Sequence, residues 1–209
     1  MRILAIGAHA DDVELGCGGS LARWAAEGHE LHVCVVTDSA YGDPAGTPIR
    51  SEGAARSEAG AAAGKLGAKL HWLGFPCLQV SFDEPLNKAL RGLVEALCPD
   101  LVLSHWAEDT HHDHRAVALA TLHSARNVPR LLCYRSNWYL GPSPFAASVF
   151  MDIGPWYDTK LQLVRLHQGE HGRAGDRWEA FLQAEARLRG LEAGCQLAEG
   201  FLPIRWVLG

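Results

Sequence analysis

Residues 2–20 read RILAIGAHADDVELGCGGS, and this stretch indicates both the fold and the place of a site. The apolar run 2–8 is typical of a buried strand, and it stops at His9. Asp11 and Asp12 follow almost at once. Because adjacent carboxylates repel each other, the end of a strand is a poor place for them on grounds of stability alone. The stretch therefore predicts a strand whose end carries a site for a positive charge.

Short β-rich runs alternate with Ala-rich helical stretches outward from this first strand. Strands are predicted at 2–8, 31–37, 68–74, 99–105 and 130–136, with a sixth at 147–153. Helices are predicted at 18–29, from the end of a loop at 38–48 to residue 66, at 84–97, at 114–126, at 156–167 and at 176–193. This alternation predicts an α/β fold: a three-layer α/β/α Rossmann-like domain with a mostly parallel sheet. We expect the strand order 3-2-1-4-5, in which strands one and four are neighbours.

Length and composition indicate one domain. The chain has 209 residues, of which 48% are hydrophobic and 21% charged, which is enough for one well-buried core. Residues 1–136 form the regular α/β part, and residues 137–209 depart from strict alternation. Because no low-complexity linker separates the two parts, we interpret 137–209 as a C-terminal extension of the same domain, which then covers 1–209.

Charge and hydropathy exclude several classes of partner. A net charge of −5 without a Lys/Arg run argues against a nucleic-acid-binding surface. No apolar stretch approaches the roughly 18 residues of a membrane span, and residues 1–8 are too short for a secretory signal. The six cysteines lack C-x-x-C spacing and are expected to be reduced, buried thiols. We therefore expect a cytoplasmic protein. An exposed strand edge within 71–82 could be covered by a second copy of the chain, so a homo-oligomer is one alternative.

Two segments rich in histidine and aspartate follow strands one and four. They are HADD at 9–12 and HWAEDTHHDH at 105–114, and they contain five of the 11 histidines in the chain. In the expected strand order the carboxyl ends of these two strands meet, which is where ligands bind in such sheets. Taken singly, His105 and His112 fit ordinary loop histidines better than ligands.

Imidazole and carboxylate ligands together suit Zn²⁺, with Fe²⁺ or another first-row divalent ion as the alternative. Such a cation would neutralise one aspartate of the pair by direct ligation. The other aspartate would then be free to act as a base on the metal-bound water, whose pKa zinc lowers from about 15.7 to about 7.

The same segments resemble the motifs of the PIG-L/LmbE-like zinc-dependent N-deacetylases. AHADDVELGCGGSLA (8–22) resembles the family's A-H-P-D-D-x-E signature, with Ala10 in place of the usual proline. DTHHDHRAVA (109–118) is similar to the second signature, H-P-D-H followed by a helix of small residues. RGLEAGCQLAEGF (189–201) is similar to the R-G-x-x-x-G…A-E-x-F ending. The resemblance runs along nearly the whole chain.

The resemblance implies a role for each residue of the two segments. His9, Asp12 and His114 would bind the zinc ion, and Asp11 would be the general base. His111 would stabilise the oxyanion or protonate the leaving amine. Asp113 would hold His111 in orientation, as a carboxylate behind an imidazole commonly does.

Further residues are candidates for contacts with a substrate. Members of the family place a pocket-facing arginine in the helix after strand two, and both Arg50 and Arg56 fit that description. Asp38 and Tyr41 follow strand two beside the expected pocket, with a plain turn as the alternative. His112 replaces the second proline of the family pattern and could contact the substrate or compete as a ligand.

The implied function is metal-dependent hydrolysis of an N-acyl amide, most simply N-acetyl, on a small-molecule amino sugar or amino-sugar conjugate. The alternatives are a member of the family that has lost catalysis, a non-sugar N-acyl amidohydrolase, and a Mg²⁺-binding phosphoacceptor module. A dinucleotide-binding enzyme fits poorly, because the glycines of GCGG at 16–19 come too late after strand one for a G-x-G-x-x-G fingerprint.

Overall fold

The first strand lies in the middle of the sheet, as its continuous apolar run predicts. The computed structural model describes residues 1–208. Its elements in chain order are β1 (Arg2–Gly7), α1 (Asp12–Ala26), β2 (Glu30–Thr37), β3 (Tyr41–Gly42), β4 (Pro48–Arg50), α2 (Glu52–Leu66), β5 (Lys69–Phe75), α3 (Glu84–Leu97), β6 (Leu101–His105), α4 (His112–Ser124), β7 (Arg130–Tyr134), β8 (Val149–Asp152), a 3-10 turn (Gly154–Trp156), α5 (Tyr157–Arg165), α6 (Gln168–Ala193) and β9 (Ala198–Trp206).

Seven of the strands form one sheet in the order β5-β2-β1-β6-β7-β9-β8. The first five of these are parallel and have the predicted order 3-2-1-4-5, which is confirmed. Strand β8 confirms the sixth predicted strand. Strand β9 was not predicted; it pairs antiparallel with both β7 and β8. Its sequence contains Gly200 and Pro203, which disfavour a strand. The pairing with a strand on each side therefore stabilises β9 where its own residues do not.

Both faces of the sheet are covered by helices. Successive residues of β1 point to opposite faces, so that Ile3 belongs to the apolar cluster that contains Leu21 of α1 and Leu163 of α5. Leu4 belongs to the cluster on the other face, which contains Leu90 of α3. This arrangement confirms the predicted three layers. Within the described residues, no helix is both long and apolar enough to pass through a membrane.

Helix α1 begins at Asp12, six residues before the predicted start at residue 18. The glycines at 16–19 made the sequence look non-helical there, but they are needed for close packing. A Cβ atom on Gly16 would lie 2.1 Å from Cδ2 of Tyr134, whose ring is fully buried. The helix is kinked at Cys17, where φ is −144°. The early start places the aspartate pair at the N-terminus of the helix.

Candidate metal centre and active-site cavity

The ends of β1 and β6 are neighbours in the sheet, and the three predicted metal ligands meet beyond them. His9 Nδ1 lies 3.3 Å from Asp12 Oδ2, and His114 Nε2 lies 3.3 Å from Asp12 Oδ1. The two nitrogens are also 3.3 Å apart. Four ligands at about 2.0–2.1 Å from a tetrahedral zinc ion are themselves about 3.3–3.4 Å apart. The separation of each nitrogen from the nearer Asp12 oxygen is thus of the size that such a site requires, with Oδ2 beside His9 and Oδ1 beside His114.

The ring nitrogens of His9 and His114 that point away from Asp12 contact carboxylates, and these contacts fix the tautomer of each ring. His9 Nε2 lies 2.9 Å from Asp113 Oδ2, and His114 Nδ1 lies 3.1 Å from Asp109 Oδ2. Because a carboxylate only accepts, each of these nitrogens carries the proton, and in the neutral rings the inward nitrogens are lone pairs. Two lone pairs facing each other beside the carboxylate of Asp12 repel unless a proton or a metal cation lies between them. The donor set therefore fits a divalent transition metal.

The negative field of the centre also appears in the pKa values of its histidines. Burial opposes protonation of His114, but Asp12 and Asp109 outweigh it and raise the pKa to about 9. Burial likewise opposes ionisation of Asp12, and yet His114 and His105 hold its pKa well below the usual value. The carboxylate of Asp12 is therefore charged at neutral pH.

His105 contacts the candidate metal centre, which sequence reasoning missed. It is the last residue of β6 and fully buried, so it is not an ordinary loop histidine. Its ring stacks on that of His114 with centroids 3.9 Å apart. Its Nε2 lies 2.9 Å from the amide nitrogen of Ala8 and 3.1 Å from Asp12 Oδ2. His105 thus supports two of the three ligands from behind. Its position at the end of a strand next to β1 was the available signal.

Two further donor sets lie close enough to share an ion. They are His105, Asp109 and His114, and His9, His111 and Asp113. Each of them includes a carboxylate that already accepts a hydrogen bond from a proposed ligand, namely Asp109 from His114 and Asp113 from His9. These carboxylates fit the role of orienting the imidazoles, which is the usual arrangement behind metal-binding histidines.

Asp11 occupies a strained position directly beside the centre. Its φ of 146° is rare for a residue with a side chain, and it is the N-terminal cap of α1. Strain of this kind persists where the surrounding structure holds a functional group in place. Arg50 Nη1 donates to Asp11 Oδ2 at 3.0 Å, and Arg50 Nη2 donates to Glu58 at 2.7 Å. Burial, followed by the charge of Asp12, raises the pKa of Asp11 to about 7, against the opposing effect of Arg50.

His111 caps the N-terminus of α4 and presents one ring nitrogen to the centre. Its Nδ1 accepts a hydrogen bond from the Asp113 amide at 3.2 Å, so in the neutral ring Nε2 carries the hydrogen. Burial is the main reason why the pKa of His111 falls to about 4, and His114 and His9 add to the effect. The ring lies edge-on to His9, with centroids 4.8 Å apart. His111 is therefore a neutral hydrogen-bond donor beside the metal ligands.

The expected orientation of His111 by the Asp113 carboxylate is not what the structure shows. Within residues 1–208 the carboxylate bonds to the His9 ring and to the amides of Leu78 and Val80, at 2.8 and 3.1 Å for the two amides. Side chains two positions apart at the start of a helix do not face each other. Asp113 therefore orients a ligand and ties it to the loop after β5.

A cavity of about 440 Å³ opens above the centre. Its floor contains the three ligands with Asp11, Arg50 and His111. Its walls include the loop with Trp138 and Tyr139 and the first half of α6, the helix against which Trp138 packs. The sequence placed the start of this helix at residue 176, eight residues too late.

The comparisons with known proteins agree with this geometry. Residues 4–125 match the PIG-L family, described as GlcNAc-PI de-N-acetylase. The chain belongs to the PIG-L family. A deacetylase of *Escherichia coli* K12 described as uncharacterized, YaiS, is 33% identical over 177 residues, which are 79% of this chain and 90% of that protein. Diacetylchitobiose deacetylase of *Thermococcus kodakarensis* is 26% identical and spans 100% of this chain and 84% of its own length.

Solved structures show the same PIG-L fold. N,N'-diacetylchitobiose deacetylase of *Pyrococcus horikoshii* superposes with a TM-score of 0.84 at 21% identity, over 97% of this chain and 83% of that one. The fold also occurs with a different activity. 4-Oxalmesaconate hydratase of *Pseudomonas putida* is 24% identical over 91% of this chain and 80% of its own length. Deacetylases and a hydratase are thus both among the relatives of this PIG-L chain.

The predicted substrate contacts of this PIG-L chain divide into two groups. Arg50 and Tyr41 line the cavity. Arg56 is exposed and lies over the ring of Trp72 outside the cavity. Arg50 is therefore the pocket-facing arginine. Arg50 lies at the end of β4 and not in the helix that follows.

Asp38 and His112 also lie outside the cavity. The Asp38 carboxylate accepts from the amides of Ala40 and Cys77, both at 3.0 Å, which is the plain turn that the sequence left open. His112 is half exposed, and its Nε2 lies 2.8 Å from the carbonyl oxygen of Leu78. Neither residue is placed to contact a molecule in the cavity or to compete as a ligand.

Proposed function

We propose that this chain is a metal-dependent N-deacetylase that hydrolyses an N-acetyl amide on an amino sugar or an amino-sugar conjugate. The observation that carries the proposal is the convergence of His9, Asp12 and His114, with inward lone pairs, beneath a cavity that Asp11 also lines. Zinc is the first candidate for the metal and Fe²⁺ the second, because both accept two imidazoles and one carboxylate. Mg²⁺ prefers oxygen ligands, so the two histidines count against a phosphoacceptor module.

A divalent metal at this site would polarise the amide carbonyl and make its bound water acidic near neutral pH. The residues of the chain then supply the rest of the chemistry. Asp11, which Arg50 orients, accepts the water proton as the water oxygen adds to the carbonyl carbon. His111 donates the hydrogen on Nε2 to the negative charge that develops on the carbonyl oxygen. The C–N bond breaks when Asp11 returns the proton to the nitrogen, which yields acetate and a primary amine.

Asp11→Asn tests the proposal, because it keeps the shape of the side chain and removes the base. Loss of a positioned base costs about 10²–10⁴-fold in rate. We expect a loss of at least about 100-fold in kcat, measured as amine release from a panel of N-acetylated sugars and conjugates, with the metal content unchanged. Asp38→Asn is the matched control, because it makes the same change at a carboxylate outside the cavity. Wild-type activity in the metal-loaded Asp11→Asn protein would refute the mechanism.

Hydration of an unsaturated carboxylic acid is the second candidate, because 4-oxalmesaconate hydratase of Pseudomonas putida is also similar to this chain. The same metal-bound water and the same base would serve that reaction. The family match and the two deacetylases favour hydrolysis. Loss of ultraviolet absorbance from a conjugated enoic acid, without amine release from any N-acetylated compound, would favour the hydratase over the deacetylase.

A further inference from the structure

Helix α6 presents one regular face to the cavity. The residues of α6 that line it are Glu170, Arg173, Ala174, Arg177 and Trp178. Their spacing of three and four positions is that of one helical face. From the first of them to Arg177 the helix rises by roughly 10 Å. The face is thus a wall that extends along the cavity, and its charges act on whatever the cavity holds.

The first charges on this wall neutralise each other. Arg173 Nη2 donates to Glu170 Oε2 at 2.5 Å and to the hydroxyl oxygen of Tyr41 at 2.8 Å. The Tyr41 hydroxyl in turn donates to Glu170. The guanidinium of Arg173 also lies over the Tyr41 ring, 5.8 Å from its centroid. Glu170 and Arg173 therefore form a closed set with no net charge, which joins α6 to β3.

Arg177 has no such compensation. The neighbouring carboxylate of Glu179 pairs with Arg165 and with His171, on another side of the helix. Among residues 1–208, no carboxylate lies within ion-pairing distance of the Arg177 guanidinium. The helix wall thus carries one positive charge that lines the cavity without a partner.

Aromatic rings complete the same part of the cavity. Trp138 and Tyr139 line it from the loop, and Trp178 lines it from α6 one position after Arg177. Aromatic faces suit the apolar C–H face of a sugar ring. A guanidinium makes two parallel hydrogen bonds to a carboxylate or a phosphate, and for this reason arginine is enriched where such anions are bound.

We infer that the substrate is an N-acyl amino sugar that also carries an anionic group, and that Arg177 binds this group. The inference rests on the proposed function, which places the acyl group over the metal centre. The anionic group, a carboxylate or a phosphate ester, is then on the part of the substrate that reaches the α6 wall. Arg177 is in this view the residue that separates anionic from neutral substrates.

The test is the ratio of kcat/KM for an anionic substrate to kcat/KM for the neutral parent sugar. N-acetylglucosamine is the neutral probe, N-acetylglucosamine 6-phosphate the phosphate probe and N-acetylmuramic acid the carboxylate probe. We expect the wild type to prefer one of the two anionic probes, which identifies the source of the charge. In Arg177→Gln this preference should fall about tenfold, and in Arg177→Glu it should fall further. Added salt should weaken the wild-type preference, because the site is exposed.

Arg187→Gln is the matched control, because Arg187 is an exposed arginine on the same helix outside the cavity. It changes the net charge equally and should leave the ratio unchanged. Equal hydrolysis of neutral and anionic probes by the wild type would overturn the inference and leave the proposed function standing. An equal fall of the ratio in both variants would also overturn it, since the effect would then be one of net charge. If the wild type deacetylates none of the probes and no other N-acetyl sugar, the proposed function itself fails and the inference with it.

Discussion

Replacing Asp109 with asparagine tests the metal centre without touching a proposed ligand. Asp109 Oδ2 lies 3.1 Å from His114 Nδ1, and Asp109 Oδ1 accepts from the amide of His111 at 2.8 Å. Burial opposes its ionisation, but His114 lowers the pKa of Asp109 to about 2, so it is charged at neutral pH. Asparagine has the same shape and keeps a carbonyl oxygen for the backbone bond. It removes the negative charge that holds the His114 proton on Nδ1.

The expected effect on the metal follows from the contact with His114; the substitution also removes the hydrogen bond that Asn137 Nδ2 donates to Asp109 Oδ2 at 3.1 Å. Without the contact with Asp109, the His114 ring is no longer fixed with its Nε2 lone pair toward His9 and Asp12. Loss of a carboxylate behind a metal-binding histidine lowers metal affinity about 10–100-fold. This range corresponds to about 1.4–2.7 kcal/mol of binding free energy. The effect should be smaller than that of His114→Ala, which removes the ligand itself.

Competition with a chromogenic chelator measures the affinity of each variant for Zn²⁺. Asp113→Asn makes the same change behind His9, whose Nε2 lies 2.9 Å from Asp113, and should weaken binding to a similar extent. Asp38→Asn should bind zinc like the wild type. A second measurement is thermal unfolding with and without metal, since a metal at 100 times its Kd stabilises the wild type by about 2.7 kcal/mol. Zinc affinity within twofold of wild type in both Asp109→Asn and Asp113→Asn would refute the ligand assignment.

Two further predictions concern the packing that holds the site. Lys160→Met leaves the buried carboxylate of Glu199 without the ammonium that it contacts, so we expect the free energy of unfolding to fall by about 3–5 kcal/mol in urea titrations. Adding Glu199→Gln should recover part of the loss, and a loss below about 1 kcal/mol would contradict the ion-pair argument. Gly16→Ala places a Cβ atom 2.1 Å from the buried Tyr134 ring and should cost about 1–3 kcal/mol. Gly18→Ala, whose nearest contact is 3.6 Å, is the control, and equal losses in both would show that close packing is not the reason.

The central fold was predictable because its signals are local. Most of the five parallel strands are short runs rich in apolar residues, and each of the first four is followed by a helical stretch long enough to cross the sheet. Strand β9 has no such signal: Pro203 and Gly200 interrupt it, and its stability comes from pairing with β7 and β8. The start of α1 was missed for a related reason, because Gly16 serves the packing of the Tyr134 ring and not the helix.

The convergence of His9, Asp12 and His114, the proposed metal ligands, was predictable because these residues belong to two short motifs. The residues behind them were predictable only in part. Asp113 was recognised as an orienting carboxylate, but it orients His9, which is 104 positions away in the chain. Asp109 and His105 were missed because their roles depend on which side chain each one faces once β1 and β6 are adjacent. A carboxylate or imidazole near a motif does not by itself indicate its partner.

The α6 wall shows why substrate selection is harder to predict than metal chemistry. Residues 167–176 read HQGEHGRAGD, and the three glycines argue against a helix before residue 176. A tertiary contact helps to compensate for this weak preference, because the Gly169 amide donates to Glu58 of α2 at 2.9 Å. The extra helical turns bring Glu170, Arg173 and Ala174 onto the wall of the cavity, next to Arg177. The proposed metal ligands thus come from two short motifs at the ends of neighbouring strands, whereas the side chains that line the wall above them depend on how a distant helix packs.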